Sequence, residues 1–301
     1  MADQKNNLCV VGAGELLWDL LPGGKQMGGA PANFAYHAQA LGSTGYVISA
    51  VGDDALGKEL LGSIKKDGLS DAFIAVDDNH PTGTVSVALD SDGVPDFTIH
   101  EDVAWDFIPL SEMVKDLAPR VNAVCFGTLA QRSELSRSTL RTFVQSTNPG
   151  CLRILDVNLR QQFYNKELII DSLRLANIFK LNHEELTVIA DLCSMQGTEI
   201  NILTSLMTEF GLQMIALTKG KDGSRLLGWS GHSELKAPVV KVVDTVGAGD
   251  AFTAALVMGM LQGYPIETIH RNATCLAAYV CTQKGAMPNL SKELKSELLI
   301  N

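Results

Sequence analysis

Short apolar runs alternate with segments of helical periodicity along most of the chain. Residues 8–15 and 45–52 have the continuous apolar pattern of buried strands, whereas residues 32–42 and 55–68 place apolar side chains at helical spacing and end in glycine. Strands that alternate with helices indicate a mainly parallel sheet with helices on its faces. The alternation returns after residue 120, with strands predicted at 123–127, 153–158, 178–182 and 214–220 and mostly helix from 250 onwards.

Residues 79–105 follow a different pattern, that of a half-buried antiparallel hairpin. Val85, Val87 and Leu89 alternate with polar residues, and the turn-rich SDGVPD (91–96) leads into FTIH (97–100). A parallel sheet covered on both faces does not need such a hairpin, so we expect an appendage to one α/β domain. Its apolar face would pair across a homodimer if it is exposed, or pack on the protein's own core if it is not.

Composition narrows the class of partner. The 301 residues are 46% hydrophobic and 19% charged, which is typical of a globular protein, and the net charge of −10 argues against general nucleic-acid binding. The six cysteines form no CxxC pair, which favours free thiols in a reducing compartment. We find no basic leader or long apolar run at the N-terminus, so we expect a soluble, cytoplasmic protein without a membrane partner.

DTVGAGDAFTAA (244–255) is the most informative stretch. Gly247, Ala248 and Gly249 precede a predicted helix, and small residues at a helix start leave backbone N–H groups free to bind a phosphoryl group. Asp250 would then take the proton of an attacking hydroxyl group. The alternative is an ordinary glycine turn with Asp250 as the helix N-cap. The stretch alone does not decide between them.

A second stretch, WDLLPGGKQMGGAPANFA (18–35), has the residue types of a sugar site. Gly28 and Gly29 let a ligand approach the backbone, and Asp19 with the amide of Asn33 would bind hydroxyl groups. A glycine turn with Asn33 as a capping residue explains the stretch equally well.

Three shorter motifs give weaker evidence of function. VVGAGE (10–15) is not a dinucleotide fingerprint, because Leu17 stands where the third glycine is needed. TKGKDGS (218–224) either wraps nucleotide phosphates or forms a turn, and it lacks the Walker A pattern. In LNHEE (181–185), Asn182 and Glu185 would order water around Mg²⁺. The histidines show no metal-ligand spacing.

Together these segments resemble the ribokinase-like (PfkB) family of carbohydrate kinases over nearly the whole chain. GGAPANFA (28–35), with Gly42 and Gly52 at the family's spacing, matches the N-terminal signature, and residues 244–255 match the C-terminal one. The resemblance implies one three-layer α/β/α domain over 1–301 with a mainly parallel central sheet. It also implies a small β-sheet lid formed by about 15–27 and 79–105, ATP and Mg²⁺ as cofactors, and K⁺ in several members.

The resemblance assigns roles to individual residues. Asp250 is the implied base, and the backbone of Gly247, Ala248 and Gly249 is the implied anion hole. The implied sugar-binding residues are Asp19, Gly28, Gly29 and Asn33. The implied ATP-binding residues are Asn182, Thr218, Gly220, Gly223, Gly249 and Thr274, with Glu185 linked to Mg²⁺ through water. A monovalent cation is assigned to Asp244, Val246, Val280 and Gly285.

The choice of sugar depends on fewer residues. GGAPANFA is more similar to fructokinases than to ribokinases, and DVNLR (156–160) is similar to an element of fructokinases and 2-keto-3-deoxygluconate kinases, with Val157 in place of the usual proline. Asn158 and Arg160 remain in place, and Arg160 would meet an acidic sugar's carboxylate, orient phosphates or pack structurally. In the lid, His100 contacts either substrate or solvent, and Trp105 either stacks near the sugar or packs the lid base.

These observations predict an ATP-dependent sugar kinase, most similar to fructokinases. A 2-keto-3-deoxygluconate kinase, a ribokinase or a nucleoside kinase is the alternative within the family. A catalytically silent sugar-sensing protein is the alternative outside it, although an intact Asp250 argues against that class.

Overall fold

The protein is described from a computed structural model that covers residues 8–21, 23–89, 95–229 and 231–298. A nine-stranded sheet forms its centre, in the order β13-β12-β11-β10-β9-β8-β1-β4-β5. The strands from β11 to β5 run parallel, and β12 and β13 are antiparallel additions at one edge. These strands are β1 (Cys9–Ala13), β4 (Thr44–Gly52), β5 (Ile74–Asp77), β8 (Ala123–Phe126), β9 (Leu152–Asp156), β10 (Ile178–Asn182), β11 (Met214–Thr218), β12 (Ser224–Gly228) and β13 (Gly231–Leu235).

Helices cover both faces of this sheet. One face carries a core built mainly from α1, α8 and α9, and the other a core that includes side chains of α3 to α7. The helices are α1 (Ala30–Ala40), α2 (Ala55–Lys66), α3 (Glu112–Leu117), α4 (Glu134–Gln145), α5 (Lys166–Leu175), α6 (His183–Leu192), α7 (Glu199–Phe210), α8 (Ala248–Leu261), α9 (Ile266–Cys281) and α10 (Lys292–Leu298). The predicted three-layer α/β/α architecture is confirmed.

A second sheet of four strands, the small sheet, has the order β3-β2-β6-β7. It contains β2 (Leu17–Leu21), β3 (Gly24–Gly28), β6 (Gly83–Leu89) and β7 (Pro95–Ile99). The hairpin predicted from alternation is β6 and β7, which pair antiparallel, whereas residues 90–94 of its predicted turn lie outside the described residues. Val85 is buried in the protein's own core, so it does not form part of an exposed apolar face.

Sequence patterns located the ends of most strands to within two residues and missed three strands. The strand predicted at 178–182 is reproduced at Ile178–Asn182, but β5, β12 and β13 were not expected. All six cysteines are free. Among the described residues, no helix is both long and apolar enough to cross a membrane.

Candidate active site

The N-terminus of α8 is shaped by glycine. Gly247 is its N-cap and has φ of 76°, in the left-handed region that favours glycine. A Cβ at Gly247 would lie 2.6 Å from the Cβ of Ala286, so the approach of that residue also requires glycine. By helix geometry, the N–H groups of Gly249 and Asp250 in the first turn have no partner within the helix. This helix end therefore offers backbone donors and partial positive charge to an anion.

Asp250 is not the N-cap, so the capping alternative for this residue is wrong. It lies three residues after Gly247, and its Oδ2 accepts a hydrogen bond of 2.8 Å from Nδ2 of Asn33. Burial raises the pKa of its carboxyl group to about 6, with a further increase from Asp156, while the Asn33 hydrogen bond acts in the opposite direction. A carboxylate with this pKa is a suitable general base at neutral pH.

A buried ion pair that sequence patterns missed lies beside this helix end. Lys180 on β10 and Asp156 at the end of β9 are joined by a 2.9 Å contact, and both are almost fully buried. Thr253 Oγ1 lies 3.0 Å from both Asp156 Oδ2 and the carbonyl oxygen of Gly249, and its single hydroxyl proton is shared between these two acceptors, which fastens the first turn of α8 to the pair. A Cβ on Gly249 would lie 3.1 Å from Lys180 Nζ, so the ammonium group lies directly beside the anion-binding backbone.

Glu15, just beyond β1, is a second unpredicted carboxyl group. It is 4% exposed, and it lines a small cavity together with Asp156, Asn158 and Asp250. Burial raises its pKa to about 7, and the Asp250 carboxylate adds to the rise. Charged residues at the ends of neighbouring strands in an apolar setting were the available signal, because the carboxyl ends of parallel strands form the common ligand site of open α/β sheets.

The predicted sugar-binding residues are linked to Asp250 through Asn33. A Cβ on Gly28 would lie 2.6 Å from Asp19 Oδ2, which places this glycine directly against Asp19. Asn33 is within α1 rather than at its cap, because the N-cap is Gly29. Its amide donor is not free as predicted, since it bonds to Asp250. The structure therefore brings Asp19, Gly28 and Asn33 together and uses Asn33 to hold the candidate base.

Arg160 and Asn158 complete this region. Burial raises the pKa of Glu15, Asp19 and Asp250, and the positive charge of the exposed Arg160 partly offsets this rise. Asn158 has φ of 43° and lines the same cavity as Asp250. Asn158 thus borders the same cavity as Asp250, and Arg160 lies close enough for its charge to act on Asp250.

His100 and Trp105 lie outside this group of candidate sugar-binding residues. Asp19, Val85 and Ile99 are in register across the small sheet and so share a face, whereas His100 Nε2 contacts Ser86 Oγ on the opposite face. Trp105 is fully buried, with the guanidinium group of Arg132 3.9 Å from its ring centroid. Neither side chain is therefore placed to contact a substrate, and Trp105 packs the lid base.

The predicted nucleotide residues line one cleft on the other side of α8. Gly223 has φ of 107°, and a Cβ there would lie 2.0 Å from the carbonyl oxygen of Leu235, so the turn after β11 requires glycine. Apolar residues including Val242, Phe252 and Ala277 form much of the cleft wall. The predicted ATP-binding residues in its lining are Thr218, Gly220, Gly223, Gly249 and Thr274, together with Ala248 of the predicted anion hole.

Asn182 and Glu185 form a capping box at the start of α6. Asn182 Oδ1 accepts from the N–H of Glu185 at 2.8 Å, and Glu185 Oε2 accepts from the N–H of Asn182 at 2.7 Å. Glu185 Oε1 also accepts from the N–H of Leu159, which ties α6 to the DVNLR segment. Both carboxylate oxygens are thus bound to backbone, and any link from Glu185 to Mg²⁺ remains a prediction.

Some of the residues assigned to a monovalent cation lie close together. Asp244 accepts from the N–H of Val246 and from that of Gly285, each at 3.1 Å, so one carboxylate joins the loop before α8 to the loop after α9. The carbonyl of Val280 accepts from the N–H of Gln283, and its side chain is in the core. Among the described residues, we find no group of three or more His, Cys, Asp or Glu positioned to hold a metal ion.

Comparison with known proteins identifies the family. Residues 20–293 match the model of the pfkB family of carbohydrate kinases. The chain belongs to this family. An uncharacterised sugar kinase of Pyrococcus horikoshii is 30% identical over 283 residues, which cover 91% of this kinase and 86% of that protein. A fructokinase of Salmonella typhimurium is 30% identical over 295 residues, which cover 92% of this kinase and 94% of the relative.

Solved structures show the same fold. The Pyrococcus horikoshii kinase in complex with ATP aligns with this pfkB kinase at a TM-score of 0.82, over 97% of this chain and 99% of that one. A double-mutant fructokinase of Vibrio cholerae O395 with fructose, ADP and potassium bound aligns at 0.79 over 97% and 98%, with 23% identity. The predictions of a PfkB carbohydrate kinase with similarity to fructokinases and of an ATP-binding enzyme are confirmed.

Proposed function

We propose that this pfkB kinase transfers a phosphoryl group from ATP to a primary hydroxyl group of D-fructose. The observation that supports it most is the position of Asp250 in the first turn of α8. The residues before it line the nucleotide cleft, whereas Asp250 itself borders the cavity next to Asn158. Donor and acceptor would therefore meet at one helix end, which positions them for in-line transfer.

Each residue at that helix end has a role in this proposal. Asp250, oriented by Asn33, accepts the proton of the attacking hydroxyl group. The N–H groups of Gly249 and Asp250 and the nearby Lys180 ammonium group stabilise the negative charge that develops during transfer. Asp19 and the backbone of Gly28 and Gly29 bind the sugar. Closure of the small sheet over the sugar would exclude water as a competing acceptor.

The residues present fit ATP and Mg²⁺. The cleft combines apolar walls for a base with Thr274, whose Oγ1 is buried without a hydrogen-bond partner in the described structure. ATP supplies the phosphoryl group when bound, and Mg²⁺ neutralises charge on its phosphates while keeping several of its waters. Glu185 would act on Mg²⁺ through such a water. Asp244 and the backbone of Val246, Val280 and Gly285 would hold a monovalent cation.

The charges around Arg160 favour a neutral sugar over 2-keto-3-deoxygluconate. The guanidinium group of Arg160 acts to lower the pKa of Asp19 and Asp250, so part of its positive charge already offsets carboxylates of the protein. A substrate carboxylate would compete with them for one arginine. A sugar with hydroxyl groups alone avoids that competition.

The test is ADP release from Mg-ATP with fructose, 2-keto-3-deoxygluconate, ribose, glucose and adenosine as acceptors. We expect fructose to give the highest kcat/KM, and Asp250→Asn to reduce it by about 10² or more. Asp191→Asn, at an exposed position on α6, is the matched control and should retain activity. A preference for the acidic sugar would replace fructose in the proposal. If no acceptor raises ADP release, the sugar-sensing alternative takes its place.

A further inference from the structure

Glu15 is a buried carboxyl group for which the proposed reaction has no role. It follows Gly14 at the carboxyl end of β1, which lies between β8 and β4 in the sheet. Glu15 and Asp250 line the same cavity, which has room for about one water molecule. The two carboxyl groups are close enough for the charge of Asp250 to raise the pKa of Glu15.

Glu15 also lies against the start of α1. A Cβ on Gly29, the N-cap of α1, would lie 2.6 Å from the carbonyl oxygen of Glu15, so the two backbones approach closely. The backbone N–H groups of Glu15 itself and of Ala30, the first residue of α1, favour the ionised carboxyl group and so act against the rise that burial causes in its pKa. The same helix carries Asn33, which in turn orients Asp250. Glu15 and Asp250 are therefore connected through α1 as well as through the cavity.

Few positive charges balance this pair. The exposed Arg160 acts on both carboxyl groups, and Lys180 acts on Asp250 but is itself paired with Asp156. Asp156 adds a third negative charge, and the buried thiol of Cys125 also faces the group. Two neighbouring carboxylates in such a setting cannot both ionise easily, so their protons leave in two coupled steps.

We propose that Glu15 and Asp250 share one proton around neutral pH and that Glu15 holds it, which leaves Asp250 ionised as the base. Glu15 is then a positioning residue that acts through Asp250 and α1. The order of ionisation follows from burial, because Glu15 is 4% exposed whereas Asp250 is half-buried beside the donors of Asn33 and the α8 backbone. Burial also raises the pKa of Glu15 further, to about 7, than that of Asp250, to about 6.

A spectroscopic test needs no activity. Infrared difference spectra of the full-length protein between acidic and alkaline pH should show a carbonyl band of a protonated carboxyl group that disappears near pH 7. Glu15→Gln should remove this band, and Asp250→Asn should move its disappearance to lower pH, because the opposing charge is gone. Glu101→Gln, at an exposed carboxyl group, should leave it unchanged. A band that persists in Glu15→Gln would refute the proposal.

A kinetic test rests on the proposed function. The pH profile of kcat/KM should rise as Asp250 ionises and fall as Glu15 loses its proton, because a second negative charge in the cavity opposes the incoming phosphoryl group. Glu15→Gln mimics the protonated carboxyl group, so it should lose the falling limb and keep the rising one. At pH 8 it should exceed the wild type by up to about tenfold, since a group with a pKa of about 7 is ~90% ionised there.

The two tests separate two kinds of failure. If no acceptor is phosphorylated but the band behaves as described, the proposed function fails and the shared proton stands. If wild type and Glu15→Gln have the same pH profile and Glu15→Gln only unfolds at lower temperature, Glu15 only stabilises the fold at the start of α1 and the shared proton is refuted.

Discussion

At the scale of single residues, the candidate base lowers the stability of the folded protein. Burial raises the pKa of Asp250 from 3.8 to about 6, so between those pH values the folded state binds more protons than the unfolded state. The unfavourable contribution of Asp250 to folding is therefore absent below about pH 4, and it reaches its full size once the pH has risen through 6. A group needed as a carboxylate for catalysis is therefore held where ionisation is unfavourable.

Asp250→Asn should consequently be more stable than the wild type while losing activity. Asparagine can still accept from Asn33, and it removes the buried charge. At pH 8 we expect its free energy of unfolding to exceed that of the wild type by about 2 kcal/mol, and below pH 4 the difference should disappear. Chemical denaturation across this pH range measures it, with Asp191→Asn as the control. A variant less stable than wild type at pH 8 would contradict the argument.

Lys180 has two roles that a pair of variants can separate. Lys180→Met leaves Asp156 buried without its cation, which we expect to cost about 3 kcal/mol of unfolding free energy. Adding Asp156→Asn removes that unpaired charge and should restore at least half of the loss. Activity should not return with it, because the ammonium group beside Gly249 is still missing.

Steady-state kinetics on the stable double variant gives the catalytic part alone. We expect its kcat to be at least about tenfold below that of the wild type. A double variant with normal kcat would show that Lys180 and Asp156 only hold β9 and β10 together.

At the scale of elements, the two ends of α8 offer a matched comparison. Gly247 before the helix and Gly263 after it have similar left-handed φ values of 76° and 71°. A Cβ at Gly247 would meet Ala286 at 2.6 Å, whereas nothing lies within 4 Å of one at Gly263. Both Gly→Ala variants should lose about 1 kcal/mol from backbone strain, and Gly247→Ala should lose more than Gly263→Ala because its added methyl group also meets Ala286. Only Gly247→Ala should lower kcat, by about tenfold or more, because the anion-binding backbone must shift.

Melting curves and kcat measured for both variants check this prediction. Equal kcat values would mean that the position of Gly247 does not affect the transferred phosphoryl group. Equal losses of stability would show that Ala286 yields to the added methyl group without displacing the helix end.

The pattern of apolar residues predicted elements better than it predicted contacts between them. Alternating strands and helices located the parallel sheet, since that periodicity is local to each element. The same local information could not show that Asn182 and Glu185 bond to each other's backbone. A capping pair and a Mg²⁺-linked pair have the same spacing in sequence, and only the position of the backbone N–H groups distinguishes them.

At the scale of the whole molecule, the site depends on strand order. Glu15 follows β1, Asp156 ends β9 and Lys180 lies in β10, and these strands are separated by long stretches of sequence. They become neighbours only because the sheet order is β10-β9-β8-β1. The two glycine motifs were recognisable because each lies within one short segment. The charged groups beneath them gave only the weaker signal of charged residues at or near strand ends, because no local pattern records which strand ends meet.

The small sheet's connection to the main domain allows its closure to be followed. Trp18 on β2 donates from its indole nitrogen to the carbonyl of Leu56 on α2 at 3.0 Å, and Lys25 lies 5.0 Å from its ring centroid. Movement of the small sheet over a bound sugar would change the contact of Trp18 with Leu56, whereas Lys25 lies on β3 of the same sheet and would move with Trp18. Trp105 is fully buried in the core, whereas Trp229 is 67% exposed and would obscure the signal.

In a Trp229→Phe background, adding the acceptor sugar should therefore change the fluorescence of Trp18. Its emission should shift as the hydrogen bond to Leu56 changes, and ATP alone should have a smaller effect because the nucleotide cleft lies on the other side of α8. Trp18→Phe in the same background is the control and should abolish the change. An acceptor that binds, by calorimetry, without altering the emission would mean that the small sheet keeps its position relative to α2 and that the sugar enters a site already formed.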